Sequence, residues 1–461
     1  MSDVLSQLLE ALGPDVVSTG DAIPARYRHD WSGLPPVQPL ALLRPRSTEE
    51  VSKALAICNA TGTPVTPQGG LTGISGGAHP DAAAVSLSLD RMNRIEGVDP
   101  EMATLTVEAG VVLEAAQAAA SEAGLMLGYD LGARGSCTVG GTIATNAGGN
   151  QVIRYGMARE HILGLEVVLA DGTVVNAMNR MIKNNAGLDT KQLFIGSEGL
   201  LGVVTRAVLR LQPRPPFTAT AFCGCPDLPA GLRLLQAARK ALGPALTSFE
   251  VMWPSFYHFM SDGTHQRRIL AEEHGIYVIV EASAFTETAA REMLETCLGA
   301  AMEEGDVTDA VLAASGKDER ALWAVRESVA EYPNLMGPIN AFDIGIPLER
   351  MAEAVAALES GLKAKFPDAI TLSYGHIGDS NLHLVVNVPS AGQQQPDKEI
   401  KGFVYGMTRD LAGTISAEHG LGLIKRAYLG YSRTPEEIAL MRQVKAALDP
   451  NNILNPTKAF A

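Results

Sequence analysis

Cysteine is scarce in this sequence. Its 461 residues include five, Cys58, Cys137, Cys223, Cys225 and Cys297, an odd number without framework spacing. Cys223-Gly224-Cys225 is not a CxxC pair. A disulfide scaffold is therefore excluded, and reduced thiols in a cytoplasmic protein are expected. Positive charge is also short. Lys and Arg total 37 against 51 Asp and Glu, for a formal net charge of −14 and a pI of ≈ 5.2. An acidic chain repels phosphate backbones and anionic lipid, which disfavours nucleic acid and membrane surfaces as partners. Any site for an acidic substrate needs its own local cation. No run of about 18 apolar residues occurs, so no integral membrane segment is expected. The opening MSDVLSQLLEALGPD lacks a basic segment followed by an apolar one and does not read as a secretory signal. Internal repeats and low-complexity tracts are absent too.

What is present is core-forming material. Hydrophobic residues make up 46% and charged residues 19%, enough to fill two or three domains at this length. Residues 3–13 read as a short amphipathic helix, and 27–39 as an arm rich in proline and aromatics. From Ala41 strands and helices mix around glycine turns. Ser47 is the expected N-cap of a helix, with Glu50 at the capping-box position and Gly62 as its stop. LGLEVVLADGTVV and VVTRAVLRLQPRP read as strands. Pro213 to Pro216 mark a boundary. Beyond it come further strands (TATAFCGCP, SFEVMW, YVIVEAS) and helices at 229–241 and 286–303. The expected division is 1–36, a helix and arm; 37–215, a first domain; 216–425, a second; and 426–461, a C-terminal segment.

Two glycine-rich loops stand out in the first half. One is Gln68-Gly69-Gly70-Leu71-Thr72-Gly73-Ile74-Ser75-Gly76-Gly77. The other runs from Gly132 to Gly149 and includes Gly135, Ser136, Thr138, Gly140, Gly141, Ala144, Thr145, Asn146, Gly148 and Gly149. Glycine lets the backbone approach a ligand and turn its N–H groups inward, and such nests bind phosphate. Neither loop is a GxGxxG after a first strand nor a GxxxxGK[ST], so Rossmann and P-loop binding are not supported.

These loops, with Arg154-Tyr155-Gly156, LGLEVVLADGTVV and Phe194-Ile195-Gly196-Ser197-Glu198-Gly199-Leu200-Leu201-Gly202-Val203-Val204, resemble the FAD domain of the vanillyl-alcohol-oxidase (PCMH-type) flavoproteins. The resemblance covers about residues 37–215. It implies an α+β protein: a PCMH-type FAD-binding domain of two α/β subdomains, a substrate or cap domain with an antiparallel sheet and helices, and C-terminal helices returning to the FAD domain. It implies that the first loop holds the pyrophosphate and the second follows the ribityl chain and ring. It places Glu198, Gly202 and Val204 near the adenine side. The tail Leu448-Asp449-Pro450-Asn451-Asn452-Ile453-Leu454-Asn455-Pro456 resembles the family's return to the flavin, with Asn455 close to the ring. The first loop holds no histidine before His79, and the neighbours of Cys137 do not match a cysteinyl link, so FAD is expected to be non-covalent.

Three of nine histidines fall in two polar motifs, Tyr374-Gly375-His376-Ile377-Gly378-Asp379-Ser380-Asn381-Leu382-His383 and Ser416-Ala417-Glu418-His419-Gly420. Gly378-Asp379-Ser380-Asn381 is strong turn chemistry. A hairpin on that four-residue loop pairs His376 with His383 and sets their β-carbons roughly 5 Å apart. With Glu418 as carboxylate, such a pair suits zinc, manganese, cobalt or iron, and leaves His419 as a base. The plainer alternative is two hydrogen-bonded structural histidines and an exposed Glu418.

GHIGDSNLH and SAEHGLG also resemble motifs of the D-lactate, glycolate and D-2-hydroxyglutarate dehydrogenase branch of this family. The branch implies His376, His383 and Glu418 as metal ligands, His419 as catalytic base and Asn381 in contact with substrate or metal. It implies oxidation of a D-2-hydroxy acid to the 2-oxo acid, with the C2 hydride passing to flavin N5. Neutral imidazole suits the base, with an unperturbed pKa of about 6.5. Arg326, in Trp323-Ala324-Val325-Arg326-Glu327-Ser328, matches the branch's carboxylate clamp; the alternative is a surface arginine paired with Glu327 or Glu331. In Asn340-Ala341-Phe342-Asp343, Ala341 stands where relatives carry lysine, and Ala330 stands for a polar pocket residue. That departure puts dicarboxylate specificity in question and suggests a roomier, less charged pocket; D-lactate, D-2-hydroxyglutarate and a larger or aromatic hydroxy acid are the candidate substrates. Phe249-Glu250-Val251-Met252-Trp253 is a candidate pocket wall or simply core. The electron acceptor implied is an electron-transfer flavoprotein, a quinone or a cytochrome, and a homodimer is compatible with the resemblance. An oxidase using oxygen, an enzyme for an unrelated alcohol, and a non-catalytic flavin binder are the alternatives.

Overall fold

The computed structural model describes residues 3–460. The chain divides into two compact units. One takes the chain up to Gly148, then Gly156–Arg214, and everything from Glu418 onward. The other takes Gly149–Tyr155 and Pro215–Ala417. The chain thus re-enters the first unit at Glu418, ahead of the expected position 426. No helix among the described residues is long and apolar enough to cross a membrane.

The first unit holds a four-stranded and a five-stranded sheet. In the smaller, Ala41–Leu43, Val85–Ser88 and Val65–Gln68 run parallel, and Val17–Ser18 adds antiparallel at one edge. Parallel strands are covered on both faces, and Ala41–Leu43 and Val85–Ser88 are buried throughout. The helix Thr48–Thr61 connects within this sheet. Ser47, in extended backbone, accepts from the Glu50 amide, and Gly62 ends the helix at φ 62. The box is shifted by one residue: the Glu50 carboxylate accepts from the Arg46 amide at 2.7 Å. Strand Val65–Gln68 delivers the first glycine loop at its carboxyl end, where parallel sheets present their ligand crevices.

The five strands of the larger sheet are antiparallel, in the order Ile95–Asp99, Thr104–Glu108, Val203–Arg210, Ile162–Val168, Val174–Ala177. LGLEVVLADGTVV is therefore a hairpin rather than one strand. Asp171 caps the Thr173 amide at 2.9 Å, and Gly172 turns the chain at φ 87.

The second unit is built on one seven-stranded antiparallel sheet. Its order is Asp309–Leu312, Phe217–Cys225, Ile276–Ala284, Leu246–Met252, Ile370–Gly375, Asn381–Asn387, Asn340–Gly345. Helix Leu228–Leu242 packs on the face bearing Ile276 and Val278. Helices Pro254–Gly263 and Gly316–Glu327 cover the other, where Phe256, Tyr257, Leu322 and Val325 join Met252, Tyr277, Tyr374 and Val385 in one core. The strand Asn340–Gly345 was not legible as one in the sequence. Its edge position and six-residue length give it little periodicity.

Candidate functional site

In the first unit the two glycine loops lie backbone against backbone. A Cβ on Gly70 would sit 2.1 Å from the Ser136 carbonyl, and one on Gly69 2.6 Å from Thr138 Oγ1. Gly140 packs on Ala109, and Gly202 on Val167. Loop packing therefore explains these glycines by itself. Gly73 is different: a Cβ there would meet nothing within 4 Å. Thr138 caps the helix Val139–Thr145 by accepting from the Gly141 amide, and Thr145 donates to the Gly141 carbonyl. Gly135 and Ser136 are exposed; Gly76 is buried and Gly156 half-buried, both at positive φ. Thr72, Ala144, Gly149 and Tyr155 are half-buried, while Gly148 and Val203 are buried. Gly149 and Tyr155 fall in the short segment counted with the second unit.

Two features of these residues suit a bound dinucleotide. Leu71, Asn146, Glu198 and Asn455 all hold left-handed backbone, at φ 61, 50, 51 and 44. Such strain in non-glycines concentrates at ligand clamps. Gln68 Oε1 and Asn455 Oδ1 are buried acceptors with no protein partner among the described residues. The tail reaches this place by pairing with the sheet. The Asn455 amide donates to the Val65 carbonyl at 2.9 Å, and Val65 donates to Ile453 at 2.7 Å. Burial pushes the Cys137 thiol up to about 12, so it is a poor nucleophile toward a flavin.

Glu198, expected near adenine, has other partners for its carboxylate. Its two oxygens accept from the Leu421 and Gly422 amides, each at 2.8 Å. Burial raises its pKa, against the pull of those amides. Ser75 Oγ donates to the carbonyls of His419 and Gly420 at 3.0 and 3.2 Å. The turn after His419 is thus pinned at both ends. Glu418 Oε1 lies 3.6 Å from His419 Nε2. Lys458 was not singled out from the sequence. It is 2% exposed, donates to the carbonyls of Gly77 and His79, and burial pulls its pKa down to about 7.

In the second unit the histidine hairpin has a different register from the one expected. His383 stands opposite Tyr374 on one side and Asp343 on the other. His376 is outside the ladder, because the chain spends Ile377–Asp379 in a 3-10 turn and Ser380 at φ 70 before re-entering at Asn381. The rings still meet, with centroids 5.2 Å apart at 81°. A carboxylate oxygen of Asp343 and a ring nitrogen of His383 lie within 4.8 Å of each other. Asp343 is fully buried; the sequence names it only as the end of the motif that places Ala341 and gives it no ligand role, since its strand is not legible there. Asn381 is buried with its Oδ1 unpartnered among the described residues, an acceptor suited to a hydroxyl donor or a cation.

Arg326 is neither exposed nor paired with Glu327 or Glu331. It is 6% exposed and bonds Glu250 Oε2 through Nε at 2.9 Å and Nη2 at 2.8 Å. Its guanidinium lies over the Tyr374 ring at 4.7 Å. Burial alone would lower its pKa, but the Glu250 charge raises it. The other Glu250 oxygen is 2.6 Å from His376 Nδ1. Ala341, two residues before Asp343 and on the same face, is exposed on the edge strand, and Ala330 is exposed in the turn after the Arg326 helix.

Comparison with known families and structures follows this division. Residues 214–459 match the family model described as FAD linked oxidases, C-terminal domain, and residues 39–178 match the FAD binding domain. The chain belongs to the FAD-linked oxidases. It is 41% identical over 419 residues to a D-2-hydroxyglutarate dehydrogenase, mitochondrial, of Bos taurus, covering 90% of this chain and 76% of that protein. It is 38% identical over 467 residues to a D-2-hydroxyglutarate dehydrogenase of Xanthomonas citri pv. viticola, with 97% of each covered. The fold is that of p-cresol methylhydroxylase, whose substrate-bound structure superposes with a TM-score of 0.82 at 16% identity, over 99% of this chain and 96% of that one. The PCMH-type architecture and the FAD-linked oxidoreductase class are thereby established for this member of the FAD-linked oxidases.

Proposed function

We propose that this FAD-linked oxidase converts a D-2-hydroxy acid to the 2-oxo acid, with a divalent cation at His376, His383 and Glu418 and with His419 as base. The names of its relatives support the reaction class. The observation that carries the reading is the buried array in the second unit, Arg326, Glu250, His376, His383 and Asp343, all less than 9% exposed. Buried charges are paired or hold a metal, and this array offers both a carboxylate clamp and imidazole ligands. The Ala417 amide donates to the Asp343 carbonyl at 3.3 Å. Glu418 is the next residue in the chain, which supports it as a third ligand. When bound, FAD supplies the two-electron acceptor and the cation supplies Lewis acidity at the 2-hydroxyl. Arg326 holds the substrate carboxylate, Asn381 Oδ1 is a buried acceptor for a hydroxyl donor or the cation, and His419 takes the hydroxyl proton. The expected result is anaerobic bleaching of the yellow protein by D- but not L-hydroxy acids, abolished by prior EDTA and restored by zinc, manganese or cobalt. Bleaching by the L-series instead would overturn the reading.

The acid taken carries one carboxylate. Arg326 is the only buried Arg or Lys among the described residues of the second unit, and Glu250 already compensates its charge. A second anionic group near Asp343 would find no lysine at position 341, which is alanine. Ala341→Lys is expected to raise kcat/KM for D-2-hydroxyglutarate relative to D-lactate by roughly 10–100-fold, because a hydrogen bond to a charged group is worth about 1.5–3 kcal/mol. Wild-type preference for D-2-hydroxyglutarate would contradict this.

A further inference from the structure

We propose that Glu250 is a positioning residue that sets both the tautomer of His376 and the orientation of Arg326. The proposal rests on the metal-assisted reading above. Two neighbouring strands and a helix packed on their sheet bring the three groups together. Met252 pairs with Tyr374 and Val251 with Gly375; His376 follows directly on the end of that ladder, as Glu250 does on the other strand. There Glu250 Oε1 and His376 Nδ1 meet at 2.6 Å. An ionised carboxylate only accepts hydrogen bonds, so Nδ1 carries the proton and Nε2 is the nitrogen offered to a cation. Ligating histidines characteristically hand their other N–H to such an acceptor, which fixes the ring and strengthens the ligand.

The second oxygen does the same for the clamp. Oε2 takes Nε–H and one Nη2–H of Arg326. Three of the guanidinium's five N–H groups, two on Nη1 and one on Nη2, are not used by Glu250. The Tyr374 ring, 4.7 Å from the guanidinium carbon, holds the plane. One carboxylate, 1% exposed, therefore orients the group proposed to bind the cation and the group proposed to bind the substrate. Removal of Glu250 releases both at once.

The test uses the FAD-loaded full chain and zinc alone. Zinc affinity is measured by equilibrium dialysis against chelator-buffered zinc for wild type, Glu250→Gln, His376→Ala, the double variant and Glu281→Gln. Glu281 is a carboxylate one strand away, bonded to Thr247, and serves as control. Glu250→Gln is expected to weaken zinc about 10–100-fold. The double variant should be no weaker than His376→Ala, and Glu281→Gln should match wild type. Glu250→Gln should also raise KM for the hydroxy acid, a change that a purely structural carboxylate would not produce at unchanged flavin content. Unchanged zinc affinity in Glu250→Gln, or losses that add in the double variant, would overturn the role of Glu250 while leaving metal assistance standing. A wild type that binds no zinc, cobalt or manganese would overturn the metal reading and this proposal with it. Should Glu250→Gln not fold, nitrogen-15 spectra of histidine-labelled wild type decide the point. A His376 signal, identified by its loss in His376→Ala, should show Nδ1 protonated, and an Nε2-protonated ring would refute the proposal.

Discussion

Replacing His419 with asparagine is expected to lower kcat by about 10²–10⁴-fold, the usual contribution of a positioned general base, with KM, flavin content and bound metal little changed. Asparagine keeps much of the size and hydrogen-bonding capacity of imidazole but cannot take a proton. The turn that carries His419 should survive the change, because it is held through its backbone. Ser75 Oγ holds the His419 carbonyl at 3.0 Å, and Glu198 holds the Leu421 and Gly422 amides at 2.8 Å each. The loss should therefore appear in the chemical step alone, as single-turnover reduction of the flavin under anaerobic conditions would show. Reduction at the wild-type rate would remove His419 from the base role and move attention to another group near the substrate hydroxyl.

Truncating Arg326 to methionine is expected to destabilise the protein by about 3–5 kcal/mol, because it leaves the Glu250 carboxylate buried without its cation. The pair is enclosed, with side chains 7% and 1% exposed, so solvent screening is weak. Urea denaturation of the purified variant measures the loss. Pairing Arg326→Met with Glu250→Gln should recover much of that stability, since the unpaired charge is gone, yet KM for the hydroxy acid should stay high. That separation distinguishes the cost of an orphaned charge from loss of the proposed substrate clamp. A single variant within about 1 kcal/mol of wild type, the range of a surface ion pair, would mean that water reaches Glu250.

Much of the candidate site was legible as candidate residues because several of its signals are local. The glycine loops, the tail ending in Asn455 and the Gly378–Asn381 turn are runs of residues whose backbone demands can be recognised without a partner. The helix start at Ser47 and stop at Gly62 are of the same kind, and even there the Glu50 carboxylate chose the Arg46 amide over that of Ser47. The expected histidine register fails because Gly378–Asn381 is not the whole loop. The turn is a 3-10 segment with Ser380 left-handed, and it moves His376 off the ladder while keeping its ring beside that of His383. Asp343 was passed over because it lies on a short edge strand, where no alternation long enough to recognise can develop. Glu250 was seen only as part of an apolar stretch, although a lone acid within FEVMW is a usable signal: a carboxylate on a buried strand requires a partner.

The sequence by itself determined the class of this protein. Close-approach glycines, hydroxyl-bearing loops and the two histidine motifs are specified by residue type and spacing, which act over a few residues and so survive without a fold. Only the tertiary structure decided the pairings. Glu250 meets His376 across 126 positions and Arg326 across 76. Those partners are chosen by the order of strands in one sheet, by the helix packed on it, and by burial that forces each charge to find another. Neither quantity is carried by any short stretch of the chain.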